Sequence, residues 1–153
     1  MFSGVNFFGS DYTIWVVAWL ASQFSNYPEL FFYGSGVSSG TNLKLGFRNS
    51  SQFMLTDIRD TLNVSLATPV DEYKLYTIRF SQSAGVEVYV NGEQLPSGSD
   101  PSATQALNAF LGTRIGSKNG NGVYVAEMKA YGSAVSAIQR KSLDKKLLIK
   151  YGL

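Results

Sequence analysis

Neither histidine nor cysteine occurs in this chain, so its reactive groups reduce to carboxylates, amides, hydroxyls, amines and aromatic rings. Histidine is the commonest general base and the commonest metal ligand. Thiolates build disulfides and soft-metal sites. A serine nucleophile would lack its usual base. Carboxylates are the remaining route to catalysis. Retaining glycoside hydrolysis needs two of them roughly 5 Å apart, and inverting hydrolysis roughly 6.5–9.5 Å. The nearest sequence pairs are Asp71-Glu72, adjacent in a loop and so divergent, and Glu87 with Glu93. A pair assembled from distant strands stays open at this level. The expectation is binding without turnover.

The groups that remain are those that hold sugars. Planar rings stack on the apolar face of a pyranose, while amides, carboxylates and guanidinium groups bond its hydroxyls. Eight residues combine this chemistry with turn or outward strand positions: Tyr33, Arg48, Asp57, Asp60, Tyr89, Asn119, Asn121 and Tyr124. Taken singly, each is also what an ordinary solvated surface carries. Trp15 and Trp19 are expected in the core, the alternative being an aromatic platform facing a sugar or a neighbouring subunit.

The elements that position these groups are strands. Tyr76, Ile78 and Phe80 alternate with Thr77 and Arg79, and Val86, Val88 and Val90 alternate with Glu87 and Tyr89. Such period-two alternation predicts two half-buried strands. Ser81 to Gly85 between them is rich in turn formers, so the runs should close as a hairpin. Pairing Phe80 with Val86 puts Arg79 opposite Glu87, Ile78 opposite Val88 and Thr77 opposite Tyr89. Asn91-Gly92 should supply positive φ for the next tight turn. Tyr12 to Ala21 is an apolar run of a kind expected of a central strand covered on both faces. In it Ile14, Val16 and Ala18 point one way and Trp15, Val17 and Trp19 the other.

Further strands are expected at Glu29–Tyr33, Asn42–Arg48, Gln52–Asp57, Thr61–Leu66, Thr113–Ser117 and Gly122–Tyr131. Strand signals at this spacing suit a sandwich. Gly34 to Gly40 has no lysine and leads into no helix, so it reads as a turn and not a phosphate loop. Gly92 to Ala109 is the longest irregular stretch, with a short helical turn expected at Ala103–Leu107. Lys118 to Gly122 carries strong hairpin-turn chemistry. Ser136 with Gln139 three residues on forms a capping box. Leu143, Leu147 and Tyr151 fall on one helical stripe that can pack on the sandwich.

The ordered set YTIRF, a short polar turn, GVEVYVNGE, Arg114-Ile115-Gly116, and Gly122 to Tyr131 before a terminal helix resembles the laminin-G-like, or concanavalin A-like, jelly rolls of bacterial and viral proteins. The resemblance implies an all-β fold: a two-sheet antiparallel jelly-roll sandwich over residues 12–131, with one C-terminal helix over 136–150, forming one domain. It implies a non-catalytic binding or attachment module for carbohydrate or a protein surface, on a virion or outside the cell. The alternative is a purely structural component decorating a capsid or tail. Glycanases of this fold use a pattern like E-x-D-x-x-E, which this chain lacks. The resemblance also raises calcium, for which Asp57 and Asp60 around a bend, or Asn119 and Asn121, offer oxygen ligands. Neither set forms a dense D-x-D-x-D-G loop, and no metal or other cofactor is assigned.

A chain of 153 residues suits a single domain. Net charge is +2, too small to imply nucleic acid. Residues 1–11 carry no basic group, so no secretory signal is expected. The apolar run at Tyr12 is too short for a membrane span. Arg140, Lys141, Lys145, Lys146 and Lys150 face only Asp144 in the terminal segment. This is expected to be a solvated helix face, or else a face for an acidic partner.

Overall fold

The computed structural model describes residues 11–21, 29–34, 42–49, 52–56, 61–65, 71–95, 113–115 and 122–153. Among these residues ten strands precede one helix. They are β1 (Tyr12–Leu20), β2 (Glu29–Gly34), β3 (Asn42–Asn49), β4 (Gln52–Thr56), β5 (Thr61–Ser65), β6 (Tyr73–Ser81), β7 (Gly85–Val90), β8 (Glu93–Gln94), β9 (Thr113–Ile115) and β10 (Val123–Tyr131). The helix α1 spans Ala137–Tyr151. Two five-stranded sheets form, in the orders β10-β1-β6-β7-β8 and β5-β4-β3-β2-β9. Every strand pair is antiparallel. The architecture is the expected all-β sandwich with one C-terminal helix. The expected helical turn at Ala103–Leu107 lies outside the described residues, as does most of the Lys118–Gly122 turn.

The hairpin register is as the alternation predicts. Phe80 pairs with Val86, Arg79 with Glu87, Ile78 with Val88 and Thr77 with Tyr89. The turn after β7 follows from Asn91 at φ 49° and Gly92 at φ 84°. Two consecutive left-handed residues match the right-handed strand twist, and Asn-Gly adopts them with the least strain. The Asn91 side-chain oxygen also accepts from the Leu75 amide at 2.9 Å, tying the turn back to β6.

Strand β1 is an interior strand of its sheet, between β10 and β6. Its two faces differ. Ile14, Val16, Ile78, Phe80 and Val88 are fully buried on the face turned to the second sheet. Tyr12 stacks on Phe80 there, with ring centroids 5.3 Å apart. Trp15, Val17 and Leu75 are buried on the opposite face, under Leu147 of the helix. A strand buried on both faces has no need of polar alternation, which is why its sequence reads as a continuous apolar run.

The helix begins at Ser136, whose hydroxyl accepts from the Gln139 amide while the Gln139 side chain accepts from the Ser136 amide. It ends at Gly152, in the left-handed conformation at φ 67°. The Leu153 amide closes the last turn on the Leu148 carbonyl. The stripe Leu143, Leu147, Tyr151 packs inward as predicted. Arg140 departs from the expected solvated cationic face, because it is only 4% exposed. Its guanidinium pairs with Asp144 Oδ2 and lies over the Tyr89 ring, 3.7 Å from the centroid.

Candidate functional site

The helix covers only part of its sheet. Its last turn is anchored by Lys150 and Tyr151, which donate to Glu127 Oε2 at 2.6 and 2.8 Å. Glu127 lies opposite Val17 on β1. Two residues further along β1 stands Trp19, beyond the last turn of the helix. Trp19 is paired on one side with Tyr124 of β10 and on the other with Tyr73 of β6. Directly opposed residues share a face, so the three rings form one row across three adjacent strands. Tyr124 is 60% exposed and Tyr73 41%, with Trp19 half-buried between them. The Trp19 and Tyr124 rings meet edge to face at 5.2 Å. At about 4.8 Å per strand the row runs for about 10 Å.

This row is built by register and by the bulge in β10. The pairing shifts between Val17 and Ala18, leaving Ala126 unopposed. That extra residue brings Tyr124 to the Trp19 face. The row is an open platform whose rings present flat apolar faces beside hydroxyls. Such groups bind by stacking and hydrogen bonding; the row contains no acid–base pair. At its β6 end, Asp71 and Glu72 are exposed, and Glu72 reaches Lys74 at 3.2 Å.

The eight residues singled out by sequence scatter. Tyr124 lies in the row. Tyr89 does not face solvent, contrary to expectation: it is 7% exposed, beneath Arg140. Burial raises its phenol above the usual range, with Glu87 adding to the effect. Its strand face is outward with respect to the sheet alone, but the helix occupies that side. Tyr33 lies in β2 opposite Leu43 and Thr113. Arg48 lies in β3, at the pairing irregularity between Phe47 and Asn49. Both belong to the second sheet, away from the row. Asp57, Asp60, Asn119 and Asn121 lie outside the described residues. Tyr73 and Trp19 are the row residues missed among the candidates. Trp19's odd-numbered face gave a signal for one. Nothing local marks Tyr73, whose place depends on strand pairing.

A concave feature lies between α1 and β10. It is a groove of about 450 Å³ lined by Trp15, Tyr131, Ser133, Ile138, Gln139 and Lys146 among others. Another, of about 440 Å³, lies on the other flank of the helix beside Asn91, Gly92 and Lys145. No cluster of three metal-ligating side chains exists among the described residues. Among them, no helix is long and apolar enough to cross a membrane.

No protein-family model matches the chain, and no curated protein matches it by sequence. Solved structures do match by shape. The CBM40 of the Ruminococcus gnavus IT-sialidase is similar at TM-score 0.69 and 13% identity, covering 90% of this chain and 84% of that one. Trypanosoma rangeli sialidase matches at TM-score 0.67 and 14% identity over 89% of this chain. The receptor binding domain of botulinum neurotoxin C/D mosaic serotype matches at TM-score 0.67 and 12% identity over 92%. The chain spans 22% of that sialidase and 37% of that toxin domain. At these identities the likeness is one of fold: this chain has the β-sandwich that those proteins share.

Proposed function

We propose that this chain is a non-catalytic binding module whose ligand is carbohydrate, held on the Tyr124–Trp19–Tyr73 row. The observation that carries the reading is three rings in register on one sheet face, two of them well exposed, just past the end of the helix that packs on that face. Large aromatic rings left open side by side on a sheet face favour a stacking ligand. The carboxylates beside the helix are engaged by cations, Glu87 by Arg79, Glu127 by Lys150 and Lys129, and Asp144 by Arg140, and at the end of the row Glu72 is engaged by Lys74. That arrangement favours binding over hydrolysis. The fold is shared with a CBM40 and with toxin domains, one of them solved with SialylT. This adds weight by analogy, since fold alone does not fix function. Placement within the laminin-G-like group and display outside the cell or on a virion remain part of the same proposal.

A glycan array with the purified chain tests it. Binding that falls at least about tenfold in Tyr124→Ala and in Tyr73→Ala is the expected result, since each stacked ring contributes on the order of 1 kcal/mol or more. Release of reducing sugar from a bound polysaccharide would overturn the non-catalytic reading. A silent array would overturn the carbohydrate reading and favour attachment to protein.

A further inference from the structure

We infer that the groove between α1 and β10 is a second saccharide site, separate from the aromatic row and selective for a sugar that carries a carboxylate. The inference extends the carbohydrate reading to a new place on the molecule. The groove's volume, about 450 Å³, lies within the range of small-ligand pockets. One wall is Tyr131, 46% exposed on β10 and braced edge-on against Trp15 at 5.4 Å. Trp15 is itself fixed by its hydrogen bond to buried Asp144, so the wall is rigid. The opposite wall is the helical ridge Ile138, Ser142, Lys146, at positions i, i+4 and i+8. Ile138 is 83% exposed, and no packing among the described residues accounts for a β-branched apolar side chain there. A sugar ring held between Tyr131 and Ile138 would cover both.

Polar groups complete the site. The Gln139 side-chain oxygen is taken by Ser136, and its amide NH2, with no partner among the described residues, is the donor it brings to the groove it lines. The Ser133 and Ser142 hydroxyls also line it. Charge selects the ligand. Lys146 is exposed and has no ion-pair partner among the described residues. Further along the same flank, Lys129 and Lys150 share one carboxylate, Glu127, at 3.1 and 2.6 Å. Three ammonium groups therefore face a single anion along this side of the helix. That surplus complements a uronic or sialic acid carboxylate and gives a neutral sugar no equivalent gain.

Amide chemical shifts of the labelled chain, titrated with methyl glucuronoside, N-acetylneuraminic acid and methyl glucoside, test the site. The acidic sugars should move the amides of Gln139, Ser142 and Lys146, with little effect at Trp19 or Tyr124. Lys146→Gln should weaken their binding about tenfold, the value of a charge-assisted hydrogen bond, and leave the melting temperature unchanged. Tyr131→Ala should abolish it, and Tyr131→Phe should retain it. Acidic sugars that shift the row instead, or bind Lys146→Gln equally well, would overturn the inference. Neutral glycans bound at the row with no response to acidic sugars would overturn it while leaving the carbohydrate reading intact. No response to any sugar overturns both.

Discussion

Asp144 Oδ1 accepts a hydrogen bond from the indole nitrogen of Trp15 at 2.8 Å, joining the helix to strand β1 through a fully covered polar contact. The same oxygen accepts from the Thr77 hydroxyl at 3.0 Å, and Oδ2 pairs with Arg140. One carboxylate thus satisfies three buried donors from β1, β6 and α1. The helix is held by this specific junction as well as by its apolar stripe. Removing Asp144 would strand all three donors in the interior. We expect Asp144→Ala to cost on the order of 3–5 kcal/mol. Asp144→Asn, which keeps an acceptor oxygen, should cost less. Urea titration followed by tryptophan fluorescence measures both, and equal loss from the two would contradict this account.

In the hairpin, Arg79 lies opposite Glu87, bonded at 2.5 Å, and donates to the Val135 carbonyl at 2.9 Å. Both side chains are about one-fifth exposed. Ile78 beside it is fully buried. Arg79→Ala should cost about 1 kcal/mol, and Ile78→Ala about 2–5 kcal/mol. Denaturant midpoints compare them directly.

Deleting residues 136–153 should uncover Trp15, Val17, Leu75 and Tyr89 together, since each lies under the helix. A lower melting temperature and a red-shifted tryptophan emission are expected. A truncated chain that melts with the intact one would show that the helix contributes nothing to the fold.

Lys150, then Tyr151, hydrogen-bond Glu127 and hold its carboxyl at about 2, below the ordinary 4.5. A depressed carboxylate contributes stability that is present above about pH 4.5 and is lost as pH falls toward 2. The last helical turn should therefore loosen in that window. Hydrogen exchange of the Lys150 and Tyr151 amides would report it, and Glu127→Gln should remove the pH dependence.

Much of this protein follows from local pattern. The alternation of Tyr76–Phe80 and Val86–Val90 specifies a hairpin and its register, because a one-residue slip would turn every apolar side chain to the wrong face. The unbroken apolar run from Tyr12 predicts a strand with no solvent face, and the capping box at Ser136 marks where the helix starts. These signals depend on neighbours a few residues away. The aromatic row does not. Tyr124, Trp19 and Tyr73 are brought together by pairing across three strands distant in sequence, with a bulge at Ala126 setting the face of Tyr124. Tyr89 has the same amphipathic chemistry and an outward place on its strand, yet Arg140 covers it. Five basic residues read as one cationic surface, but Arg140 turns inward to Asp144 and Lys146 stays open above the groove. Which ring remains exposed, and which cation remains unpaired, depends on where the helix comes to rest on the sheet. That is a matter of packing between segments some 130 residues apart, which no local pattern encodes.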